Sequence, residues 1–183
     1  MTRLPQLFAA AALLAAPLAA PLHAQDSQEL PRPRPSQHGT VSQEVALTTI
    51  TIGYDRPVAR GRALYGNIIE WDVISTPGAN RATWIELSTP VTFAGAALEA
   101  GRYGLWHIPH ESEPWELVIV SEWDAHHSFF PFESEVARVR VTPESGAHME
   151  TLAFYFPVVG EYEATLRVHW GTTVLPLRIE VPR

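Results

Sequence analysis

The residues able to do chemistry concentrate between Tyr54 and Asn80. Arg56 and Arg62 flank a short loop interrupted by Pro57 and Gly61. An arginine fork clamps a carboxylate or phosphate through two parallel N–H bonds. It equally pairs with acids such as Asp55, Glu70 or Asp72 to hold its own loop. In Gly78-Ala79-Asn80, glycine and asparagine both tolerate positive φ, so a tight turn is expected just before Thr83. Asn80 there either presents an amide that donates and accepts, or caps its own turn. Tyr54 and Tyr65 would add aromatic walls. The expected site is a shared polar recess in which Tyr54, Arg56, Arg62, Tyr65 and Asn80 receive an anionic or hydroxyl-rich ligand.

Other constellations carry less. His107-Ile108-Pro109-His110 has an HxxH spacing, but residues three apart on a strand face opposite sides. The pair chelates a metal only if Pro109 has already turned the chain. Adjacent His126 and His127 converge on a metal only through a sharp bend. Solvated or hydrogen-bonded histidines are the simpler reading. Glu161 and Glu163 resemble a glycosidase acid pair, yet their face also carries Arg167 and His169 and reads as solvated. No GxSxG elbow accompanies the serines, and no motif implies a cofactor or a catalytic residue. The six tryptophans and five tyrosines suit sugar stacking as well as a sandwich core.

The chain begins with Arg3, an apolar run from Leu7 to Ala20 and small residues ending at Ala24. That order reads as a secretory signal peptide over residues 1–24. The run is short for a membrane span and is interrupted by Pro17 and Pro21. Its removal from the 183-residue chain leaves 159 residues, enough for one domain with a sizeable core. The formal net charge of −7 becomes −8, since only Arg3 is lost. Such an acidic chain is a poor nucleic-acid binder, because phosphate neutralisation supplies most of that affinity. With no cysteine, packing alone must hold the fold in an oxidising compartment. A periplasmic or extracellular protein without a membrane span is expected. Residues 25–37, with three prolines in Pro31–Pro35, read as an extended, flexible lead.

From Val41 onward the pattern is that of strands. Residues 41–47, 49–54, 83–88, 91–93, 102–108, 115–121, 136–141 and 151–156 are short, β-branched or alternating. One helical turn fits residues 62–70. The tail reads as a hairpin: Ala164, Leu166, Val168 and Trp170 share one face. Gly171-Thr172 supplies a turn with glycine first, and Leu175, Leu177, Ile179 and Val181 repeat the inward face. About nine short strands with little helix predict an all-β, antiparallel sandwich over residues 38–183, immunoglobulin-like or jelly-roll-like. A closed barrel is the alternative.

The quoted residues, in their order and spacing, resemble a bacterial family of exported domains of unknown function, DUF2911. The resemblance runs from about Ser36 to Val181. It rests on Val41-Ser42-Gln43, Ile52-x-Tyr54-x-Arg56-Pro57 and Gly61-Arg62-x-Leu64-Tyr65-Gly66. It continues through Gly78-Ala79-Asn80-x-Ala82-Thr83, Gly95-x-x-Leu98-x-Ala100-Gly101-x-Tyr103-x-Leu105, Ile108-Pro109, Trp115 and Arg138-Val139-x-Val141-x-Pro143. Family members commonly carry a Trp-Arg pair before the Gly-Ala-Asn turn, where this chain has Ser75-Thr76. If that arginine helps build a site, the site here is altered. The resemblance implies fold and export and names no activity. Two functions remain open: a non-catalytic module binding a small ligand, glycan or envelope partner, and a hydrolase, metal-assisted through His107, His110, His126 or His127.

Overall fold

Alternating β-branched residues carry β1 (Gln37–Val45) into β2 (Thr48–Arg56) through a hairpin that leaves Leu47 in solvent. The computed structural model describes residues 32–183, and the expected signal segment lies outside the described residues. Then follow β3 (Thr83–Leu87), β4 (Val91–Phe93), β5 (Ala96–Leu98), β6 (Gly101–Ile108) and β7 (Trp115–Val120). A 3₁₀ turn at Phe132–Ser134 leads into β8 (Glu135–Val141), then β9 (Glu144–Val159) and β10 (Glu163–Glu180). The described residues contain no α-helix.

The strands form two antiparallel sheets. One has six strands in the order β1-β2-β3-β6-β7-β8; the other has four, β5-β4-β10-β9. Both sheets keep free edges, so the all-β expectation resolves as a sandwich and not a closed barrel. Their inner faces share one core. Ile50, Ile52, Ile85, Leu105 and Ile119 come from the larger sheet, and Phe93, Leu152, Leu166, Leu177 and Ile179 from the smaller. Each such side chain contributes about 1.5–3 kcal/mol of burial. With no disulfide available, this core holds the fold.

The larger sheet is also covered on its outer face. Alternation sends Trp106 outward between the inward Leu105 and His107. There it packs with Ala82, Val118 and Val120 beneath Phe130 of the connection after β7. Nearby, Trp84 lies flat on Gly53, where a Cβ would stand 2.2 Å from the indole. Only glycine admits that approach.

Four local features differ from expectation. The tail is not a hairpin: β10 runs unbroken through Gly171. Gly171 has φ 61°, and the β9–β10 register shifts on both sides of it. The turn signal is therefore a β-bulge, which explains why buried positions are even up to Trp170 and odd from Leu175. Residues 62–70 form turns and a Tyr65–Ile69 bridge in place of a helical turn. The Ala94-Gly95 turn closes a further hairpin, so ten strands stand where about nine were expected. Gln37 already belongs to β1, ahead of the expected Val41 start.

Candidate functional site

The end of β2 sends its side chains alternately in and out. Tyr54 faces the core, edge-on to Phe154 at 4.6 Å between ring centroids. Its hydroxyl oxygen accepts the Phe154 backbone N–H at 3.1 Å. Arg56 also turns inward and donates from Nε to the Leu152 carbonyl at 3.1 Å. The Leu152 N–H in turn donates to the Pro57 carbonyl, so Arg56-Pro57 ties the two sheets together. Tyr54 and Arg56 are thus placed as inter-sheet ties.

Asp55, between them, faces outward yet is nearly buried. Its Oδ1 accepts from His38 Nδ1 at 3.0 Å and its Oδ2 from Asn80 Nδ2 at 2.8 Å. The sequence offered Asp55 to an arginine; the β1–β2 register instead places His38 directly opposite it. That register was the signal that sequence reasoning missed.

The Gly78–Asn80 turn forms as expected, with Asn80 at φ 59°. Its anchors are two buried threonines. Thr76 donates to the Leu105 carbonyl at 3.0 Å and accepts the Thr83 N–H at 2.9 Å. Thr83 donates back to the Pro77 carbonyl at 2.9 Å. Thus Thr76 fixes the turn. Asn80 Nδ2 also reaches the Ser36 carbonyl at 3.3 Å, pinning the entry to β1.

Arg62 clamps its own loop through backbone carbonyls: Nη2 donates to Val58 at 2.7 Å and Nε to Ala59 at 2.9 Å. No acid is needed for this, although the Arg62 charge helps hold the Glu150 carboxyl below its usual range, after hydrogen bonds from His148 and the Arg60 N–H. Arg62 and Asn80 line one recess of about 370 Å³ together with Arg60, His127 and Trp170. The Arg60 N–H is held by Glu150, while its guanidinium has no partner among the described residues. Burial, and then His126, push the His127 imidazole below its usual pKa.

Tyr65 lies on the other side of Arg62. A second recess of about 370 Å³ is lined by Arg62, Tyr65, Trp71, Trp170 and Thr173. Tyr65 stacks on Trp71 and packs tilted against Trp115 at 4.6 Å. Burial raises its phenol well above the usual value. Trp170 separates the two recesses; its Nε1 is buried without a partner among the described residues. The expected residues therefore divide. Arg62 meets Asn80 in one recess and Tyr65 in the next, while Tyr54 and Arg56 serve the core.

The histidines do not gather. His107 is sealed in the core beside Trp115 and Tyr65, and burial pushes it down to about pKa 4. His110 pairs with Asp72 at 2.5 Å beyond the strand end. His126 and His127 stand 4.5 Å apart between ring centroids. Among the described residues, no three His, Asp or Glu side chains group as a metal set.

Residues 36–179 match the family described as "Protein of unknown function (DUF2911)". The chain belongs to this family. No curated protein and no solved structure matches it.

Proposed function

We propose that this chain is an exported binding module whose recess at Arg60, Arg62 and Asn80 holds a small anionic or hydroxyl-rich ligand. The observation that carries the reading is convergence: two separate loops bring two arginines and an amide to one recess of about 370 Å³. Arg60 supplies a guanidinium with no partner among the described residues, so its donors need not be withdrawn from the protein to meet a ligand. A guanidinium fork suits a carboxylate, a phosphate or vicinal hydroxyls. The Asn80 carbonyl oxygen can accept from a hydroxyl while Nδ2 stays on Asp55. Export rests on the signal-like start, which places the ligand in the periplasm or outside the cell. The acidic balance argues against nucleic acid as partner. No helix among the described residues is long and apolar enough to cross a membrane.

The test is a thermal-shift panel of inorganic phosphate, citrate, glucuronate and neutral sugars. A ligand that binds the folded state raises the melting temperature in proportion to occupancy. The reading expects at least one member to raise that of the wild type and to leave Arg60→Gln unmoved. Equal shifts in both proteins would place the ligand elsewhere.

A further inference from the structure

We propose that Thr40, His38 and Asp55 form an acyl-transfer relay on the outer face of the six-stranded sheet, with small esters as its substrate class. This goes beyond the binding reading and lies outside its recess, sharing only Asn80 with it. β1 and β2 pair so that His38 opposes Asp55 and Thr40 opposes Gly53. Residues two apart on a strand share a face, so the three side chains lie together.

The hydrogen bonds give each residue a role. A carboxylate only accepts, so the 3.0 Å contact between Asp55 Oδ1 and His38 Nδ1 puts the imidazole proton on Nδ1. In the neutral imidazole, Nε2 then keeps its lone pair, and it stands 3.5 Å from Thr40 Oγ1. A hydroxyl beside a base that is itself oriented by a third group is the signature of an activated nucleophile. In free enzymes such contacts are long and tighten when substrate binds. Asn80 holds the other carboxylate oxygen at 2.8 Å, and does so from a left-handed backbone at φ 59°.

Beside the relay lies a recess of about 250 Å³ lined by His38 and Asp55, walled by Trp84 and Trp123. Its other charged residues are Arg34, Arg81 and Asp124, of which Arg81 pairs with Asp124. The indole walls and this internal pairing suit a small acyl or aryl ester. In the reaction, Thr40 Oγ1 bonds to the acyl carbon while its proton passes to His38 Nε2. That proton then moves to the departing alkoxide oxygen. Water next attacks the acyl-threonine, again giving its proton to His38. The Thr40–acyl bond breaks, the proton returns to Oγ1, and the free acid leaves. Asp55 and Asn80 are positioning residues throughout.

The experiment uses p-nitrophenyl acetate with the purified protein and with Thr40→Ala, Thr40→Ser, His38→Gln and Asp55→Asn. The relay predicts p-nitrophenol release above the buffer rate and an acetyl group on the peptide containing Thr40. Thr40→Ala and His38→Gln should lower kcat by about 100-fold or more, and Thr40→Ser should retain turnover. Asp55→Asn should lower kcat with KM held. Thr40 is exposed, so its two variants should melt with the wild type, whereas His38→Gln and Asp55→Asn alter a hydrogen bond at the buried carboxylate and are assayed below their own melting temperatures. Release no faster than buffer, equal release from Thr40→Ala, or acetylation confined to other residues would overturn the proposal. Ligand binding at Arg60 is read without turnover, so failure of the relay would leave that reading intact.

Discussion

Asn80 donates from Nδ2 to Asp55 Oδ2 at 2.8 Å, joining the Gly78–Asn80 turn to the outward face of β2. The side chain that lines the end recess is therefore also the one that immobilises the buried carboxylate. Hydrogen bonds to charged groups contribute about 1.5–3 kcal/mol. Asn80→Ala should destabilise the fold by about that amount, plus about 1 kcal/mol for an alanine at positive φ. Asn80→Gly removes the amide but accepts the backbone, so it should recover the smaller part. Urea midpoints of the two variants measure the split. Equal loss from both would mean that the left-handed backbone carries no strain.

Arg62 gives two donors to backbone carbonyls of its own loop. Arg62→Met keeps much of the stem and removes the fork. It should cost about 1–3 kcal/mol, at about 1 kcal/mol for each hydrogen bond, and should weaken ligand binding as well. Chemical denaturation with a binding assay on the same protein checks both effects. An unchanged urea midpoint would show that the clamp contributes nothing to stability.

His107 makes the fold acid-sensitive. Burial lowers its folded pKa to about 4 from the usual 6.5. The unfolded chain therefore binds the proton first, and stability is lost as pH falls from about 6.5 through about 4. The loss approaches about 3 kcal/mol, at 1.36 kcal/mol per pKa unit. Tyr65 and Trp115, the rings against it, carry no charge in this range. His107→Leu should flatten the difference between unfolding free energies at pH 7 and pH 4, leaving only what the carboxylates contribute. An unaltered pH slope in that variant would remove His107 as the cause.

The bulge at Gly171 predicts a steep cost for any side chain there. A Cβ would meet Leu64 Cδ1 at 2.8 Å, on a backbone already at φ 61°. Gly171→Ala should lose about 1–3 kcal/mol, combining left-handed strain with displacement of a core leucine. Thermal unfolding of the variant checks this. A melting temperature equal to wild type would argue against the bulge geometry.

The sandwich was legible because burial is written into the period of the sequence. Ile50, Ile52, Ile85, Leu105 and Ile119 all lie on inward faces of alternating runs. The Gly171 bulge was legible in its effect, the switch of buried positions from even to odd, but a positive-φ glycine signals a turn and a bulge alike. The turn at Asn80 was readable for the same reason that it forms, since few other residues accept that backbone. What could not be read was partnership across strands. His38 meets Asp55 only because β1 and β2 pair in one register, and a one-residue slip would separate them. Likewise, Tyr54 and Arg56 occupy inward positions whose partners, Phe154 and Leu152, lie about a hundred residues away in sequence. Local spacing carries no information about such contacts.

The central claim is that Arg60, Arg62 and Asn80 hold a small anionic or hydroxyl-rich ligand in one recess. Isothermal titration of the best ligand from the thermal-shift panel tests it most directly. Wild type, Arg60→Gln and Arg140→Gln would be compared, Arg140 being a residue of β8 that does not line the recess. The account predicts that Arg60→Gln weakens Kd about tenfold or more, equivalent to about 1.4 kcal/mol, while Arg140→Gln binds as wild type. Equal affinity for wild type and Arg60→Gln, or an equal loss in both variants, would contradict it.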